Sequence, residues 1–144
     1  MRSTLKPEVG YWRPDDLSDL ADAGVLLLNT ILTVHEGAAK SCKGWNWQDI
    51  TADALRTMVD ETTKRPVAFL CWGRDAQSAV QTAMETTVVH TERFLRLDCS
   101  HPSPLGFSAR VNPFRDMNHF RQVNEWLAEK RVTPIPWFRP PLSD

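Results

Sequence analysis

The 144-residue sequence is notable first for what it does not carry. It has no excess of either charge: 17 Lys and Arg stand against 18 Asp and Glu, a net charge of −1. A globally basic nucleic-acid binder is thereby excluded, and any contact with phosphates must come from a local cluster of cations and backbone amides. It has no CxxC pair. Its three cysteines, Cys42, Cys71 and Cys99, are odd in number, and two lie in or beside apolar runs, which points to reduced thiols and no bound metal. No apolar run approaches membrane-spanning length, and the opening "MRSTLKPEVGYW" lacks the hydrophobic stretch of a secretion signal. A soluble cytoplasmic protein is expected, with no membrane partner. There is no internal repeat and no low-complexity segment. At this length, with 42% hydrophobic residues, one compact domain spanning 1–144, or a piece of one, is expected.

What is present alternates between two kinds of element. "GVLLLNTILTV" (24–34), "PVAFLCW" (66–72) and "RFLRLDC" (93–99) are short, nearly continuous apolar runs of the kind that form strands buried on both faces of a parallel sheet. Helical patterns surround them. "PDDLSDLADAG" opens on Pro and Asp and stops at Gly24, as helix ends prefer. "NWQDITADALRTMVDETTK" spaces Ile50, Leu55, Met58 and Val59 along one face, and "RDAQSAVQTAM" and "NHFRQVNEWLAEK" carry similar stripes. The alternation predicts an α/β fold, a three-layer α/β/α arrangement around a short parallel sheet. The tail, "TPIPWFRPPLSD", is proline-rich and is expected to run extended over the surface.

In such sheets ligands sit beyond the carboxyl ends of the strands, and three polar stretches fall there: Asn29, Gly73 with Arg74, and His101. A carboxamide donates and accepts at once, so Asn29 either reads the edge of an amide-like ring or is a buried asparagine satisfied by backbone. "WGRDAQ" is either part of a site or an ordinary strand-to-helix turn. In "SHPSPL" (100–105) two prolines hold His101 and Ser103 extended, which makes a rigid platform around one titratable ring. Arg110, Arg115 and Arg121 form either a local basic rim or ordinary solvated arginines.

"GVLLLNTILTV", "GW", "AFLCWGRDAQ", "SHPSPL", "NHFRQVNEWL" and "PIPW" follow, in order and at closely similar spacing, the C-terminal part of the uracil-DNA glycosylase family, and the chain resembles that family over nearly its whole length. The resemblance implies base-excision repair by hydrolysis of the N-glycosidic bond of uracil in single- or double-stranded DNA, with no cofactor. It gives Asn29 the reading of the uracil edge, and His101 a hydrogen bond to uracil O2 as negative charge develops. Leu105 becomes the wedge that fills the place of a flipped-out base, while Ser103, Gly73, Arg74 and Arg110 face DNA phosphates. Base flipping is what such chemistry requires, because a stacked base is out of reach.

Departures from the family pattern are equally specific. The family's Gly-Gln-Asp-Pro-Tyr-His motif, which carries its water-positioning Asp and its thymine-excluding Tyr, is absent. Gly-Ser of the phosphate loop reads Gly73-Arg74, Cys42 stands near the place of a histidine, and the segment 35–44 is shortened. The resemblance therefore implies an incomplete glycosylase fold that needs an N-terminal segment or a partner chain for activity. The strands "GVLLLN" and "VAFLCW" would then pair directly or leave apolar edges that favour association. The alternative is a non-catalytic, glycosylase-like module that binds DNA or a protein partner.

Overall fold

A computed structural model of the chain describes residues 16–38, 41–60, 65–85 and 91–138. It divides into two compact units, Leu28–His119 and a second made from Met1–Leu27 with Phe120–Asp144.

The larger unit is built on a strand–helix–strand crossover. Strand β1 (Val67–Trp72) and strand β2 (Phe94–Cys99) run parallel, paired from Val67 with Phe94 to Trp72 with Cys99. Helix α3 (Arg74–Glu85), identified here with the other helices as α1 (Ser18–Asp22), α2 (Trp47–Val59), α4 (Pro104–Phe107) and α5 (His119–Glu129), makes the crossover. Successive strand residues point to opposite faces, so Phe69 and Cys71 share one. On that face Leu55 and Val59 of α2 and Val80 and Ala83 of α3 complete a buried core, which makes the fold α/β as expected. Thr51, Leu55 and Val59 lie four residues apart and form the buried stripe of α2. Ile50, expected on that stripe, is instead more than half exposed. The expected continuation of this helix through 61–64 lies outside the described residues.

The run 24–34 departs most from expectation. Among the described residues the sheet has two strands, and 24–34 belongs to neither. Leu28 packs against the core, whereas Leu32 and Val34 are 45% and 60% exposed. The physical reason is that an apolar run encodes burial without encoding a ladder partner, and backbone unmatched by a neighbouring strand takes an irregular path.

In the smaller unit α1 is held at its start by Asp16, whose carboxylate accepts from the Ser18 main-chain N–H at 2.9 Å. It ends at Gly24, whose φ of +89° suits glycine alone. Val123 and Leu127 form the buried stripe of α5 within this unit. The described part of the proline-rich tail takes neither helix nor strand, is mostly exposed and is tied down at two points. Asn124 accepts from the Ile135 N–H at 2.8 Å and donates to its carbonyl at 2.9 Å, and Trp137 stacks 4.8 Å from Phe120. Residues 139–144 of that tail lie outside the described residues.

Candidate functional site

The crossover brings the carboxyl ends of β1 and β2 together, and the chain leaves each strand through a sharp turn. After β1 it turns at Gly73, whose φ is +97° and whose N–H donates to the Cys99 carbonyl at 2.9 Å. The backbone conformation at this position favours glycine, and a Cβ there would press on His101, 3.2 Å from its Cβ, so the two turns approach closely. Gln77, one turn into α3, donates to the Cys99 carbonyl at 2.8 Å and ties the helix to the strand ends.

After β2 the chain enters 100–106. Ser103 is extended, with φ −61° and ψ 159°, and Pro104 opens the short α4, as proline at a first helical position prefers. The Ser103 N–H donates to Nδ1 of His101 at 3.0 Å. A nitrogen that accepts carries no proton, so the neutral ring keeps its proton on Nε2 and offers a donor there. A Cβ at Gly106 would collide with the carbonyl oxygen of His101, which makes this second glycine obligatory. Leu105 projects from α4 at 93% exposure, a large apolar side chain with nothing over it.

Six of the seven residues given uracil- or DNA-facing roles, Gly73, Arg74, His101, Ser103, Leu105 and Arg110, line one cavity of about 800 Å³, whereas Arg115 and Arg121 ion-pair with Asp116 and Glu125. Asn29 does not join the six. It is exposed and lines a separate recess of about 300 Å³ with Thr30 to Val34 and Asp75.

Charge around the larger cavity is unevenly committed. Arg96 grips Asp98 through two bonds of 2.9 Å and also reaches Gln81 and the Gln77 carbonyl. The carboxylate of Asp98, a residue of the cavity lining, is thereby already paired, and its hydrogen bond raises the Arg96 pKa further. Among the described residues no carboxylate pairs with Arg74 or Arg110. Burial, with Asp98 adding to it, pushes the Cys71 thiol up to about 12 and raises Cys99 as well, so neither is a nucleophile at neutral pH. His119 is buried and accepts from Trp72 Nε1 at 3.2 Å. Burial lowers its pKa, with Asp98 opposing. Among the described residues no three His, Cys, Asp or Glu side chains gather into a metal-holding group.

Sequence reasoning missed Gln77, Ser100 and Asn112, which hold the two turns in place. Their only signal is position: Ser100 and Gln77 are the end residues of the stretches "SHPSPL" and "WGRDAQ", and Asn112 follows shortly after, none marked by any periodicity.

The family profile described as the uracil DNA glycosylase superfamily matches residues 1–128. Similar curated proteins include a uracil-DNA glycosylase of Bordetella petrii, 41% identical over 87% of this chain and 46% of its own length. Those of Idiomarina loihiensis and Bacillus subtilis are each 38% identical, over 93% and 92% of this chain and 55% of their own lengths. The chain spans about half the length of the curated relatives it matches.

Proposed function

The chain belongs to the uracil-DNA glycosylase superfamily, and from that premise we propose that the 800 Å³ cavity is the leaving-group and DNA-facing half of a uracil-excision site. The observation that carries this reading is the hydrogen bond from the Ser103 N–H to Nδ1 of His101, a residue lining the cavity, which leaves Nε2 to carry the ring proton. As the C1′–N1 bond breaks, its electron pair moves onto the base, and a donor already aimed at the developing uracil anion lowers the barrier without reorganising. Leu105 fills the gap left by an extruded nucleotide, and Arg74, Arg110 and Ser103 take backbone phosphates. Asn29 reads the uracil edge once that edge is brought to its recess.

The sugar side needs a carboxylate to stabilise the oxocarbenium-like carbon and orient water. Asp98 is engaged by Arg96, and the motif that carries the family's water-positioning Asp is absent. In this reading, as the resemblance implies, excision depends on a carboxylate supplied by an N-terminal segment or a partner chain. The experiment is uracil release from single-stranded DNA by residues 1–144, alone and after addition of the unmatched N-terminal half of a relative. Release only in the mixture is the expected result; robust release by the chain alone overturns the proposal. The separation of Asn29 from the His101 cavity favours a second reading, a module that binds DNA or a protein and cuts nothing. DNA binding with no release even in the mixture selects it.

A further inference from the structure

One oxygen atom closes the loop that carries His101 and Leu105. The Ser100 hydroxyl donates to the Gly106 carbonyl at 2.5 Å, which joins the two ends of the segment 100–106. The same oxygen accepts from the Phe114 N–H at 2.8 Å, so the closed loop is pinned to the next segment of chain. Main-chain contacts extend the attachment: the Ser100 N–H donates to the Asn112 carbonyl at 2.9 Å. The Asn112 side chain in turn donates to the Asp98 carbonyl at 2.5 Å, inside the last residues of β2. Asn112 holds a left-handed φ of +48°, a conformation asparagine tolerates better than most residues. Within the loop, the hydrogen bond from Ser103 to His101 fixes the ring.

A serine hydroxyl can donate once and still accept, and here it does both. Alanine at this position would leave the Phe114 N–H without its partner and remove the tie between residue 100 and the Gly106 carbonyl, which would keep its bond from the Ala109 N–H at 3.1 Å. The main-chain bond from residue 100 to Asn112 would remain. We infer that Ser100 is a positioning residue, whose hydroxyl sets the placement of the His101 ring and the Leu105 side chain relative to the strand ends, with Asn112 anchoring this latch to β2. What those two side chains do rests on the uracil-excision reading; the latch itself does not.

Two measurements on the 144-residue chain test it, using Ser100→Ala, Ser100→Thr and Asn112→Gly, the last of which keeps the left-handed backbone and loses only the side-chain bond to Asp98. The first is the ring ¹⁵N signature of His101 by NMR. The wild type and Ser100→Thr are expected to show the Nε2–H tautomer, and Ser100→Ala and Asn112→Gly a shift toward the mixture of a free imidazole. The second is affinity, at fixed salt, for a duplex with an abasic-site analogue and for the matching single strand. Ser100→Ala should lose about tenfold on the duplex, the equivalent of one hydrogen bond, and about twofold or less on the single strand, with Ser100→Thr restoring both. An unchanged ring signature in Ser100→Ala, or Ser100→Thr behaving like Ser100→Ala, overturns the latch. Equal losses on the two DNAs overturn the placement of Leu105. Failure of the wild type to bind either DNA strikes the uracil-excision reading, and the ring signature then decides the latch alone.

Discussion

At the residue scale the proposed site rests on His101, whose Nδ1 accepts from the Ser103 N–H. His101 needs no acidic partner to select its tautomer, because the Ser103 N–H occupies Nδ1. In the complemented protein, His101→Ala should lower single-turnover uracil release by about 10²–10³, as for other preorganised oxyanion donors, with little change in DNA affinity. A loss below threefold would remove His101 from the chemistry. That residues 73–74 and 101–105 would come together at the strand ends was legible, because both stretches are local: glycine and proline set the turns, and the turns bring these residues to one cavity. Asn29 was legible as a residue but not as a position. Its place depends on how 24–34 packs against distant chain, which no short stretch specifies.

Among elements, α3, α5, β1 and β2 emerge within a residue or two of their apolar patterns, the helices from stripes whose spacing defines a buried face and the strands from short apolar runs that find each other as ladder partners. The run 24–34 fails as a strand for the converse reason, since continuous apolarity says nothing about which neighbour supplies hydrogen bonds. The junction that does depend on long-range contact is His119 at the start of α5, where Trp72 from the end of β1 donates to Nδ1. Burial holds the folded-state pKa of His119 below its ordinary value of 6.5, against an opposing pull from Asp98. As pH falls through that ordinary value, the unfolded chain takes up a proton that the folded chain does not, so the stability His119 contributes is complete above it and drains below. Thermal unfolding should therefore fall more steeply between about pH 7 and pH 5 in the wild type than in His119→Gln. Parallel slopes would mean that His119 is protonated as readily in the folded chain as in the unfolded one.

For the whole molecule the question is what the exposed apolar surface does in water. Leu26, Leu27, Leu32 and Val34 are each between 45% and 60% exposed, and among the described residues β1 has a ladder partner on one edge only. Open edges and apolar side chains together promote association. The 16.4 kDa chain should show a weight-average mass in sedimentation that rises with concentration, and Leu32→Lys with Val34→Lys should suppress the rise. A constant monomer mass up to high concentration would show that these side chains are satisfied within one copy.

The parallel pairing of β1 with β2 also governs how quickly the molecule is made. Every paired residue on one strand is separated from its partner by the whole of α3, so the sheet has high contact order, and the chain must close a long loop before the first pair forms. Helix α3 shortens that search by turning a flexible span into a rigid one that already presents Val80 and Ala83 to Phe69 and Cys71. The expected folding nucleus is α3 with the two strands it joins. Ala79→Gly, which weakens the helix by about 1 kcal/mol, should slow refolding by most of that amount while leaving the unfolding rate nearly unchanged in a stopped-flow chevron. An effect confined to the unfolding limb would place the helix after the barrier, with strand pairing as the event that starts the fold.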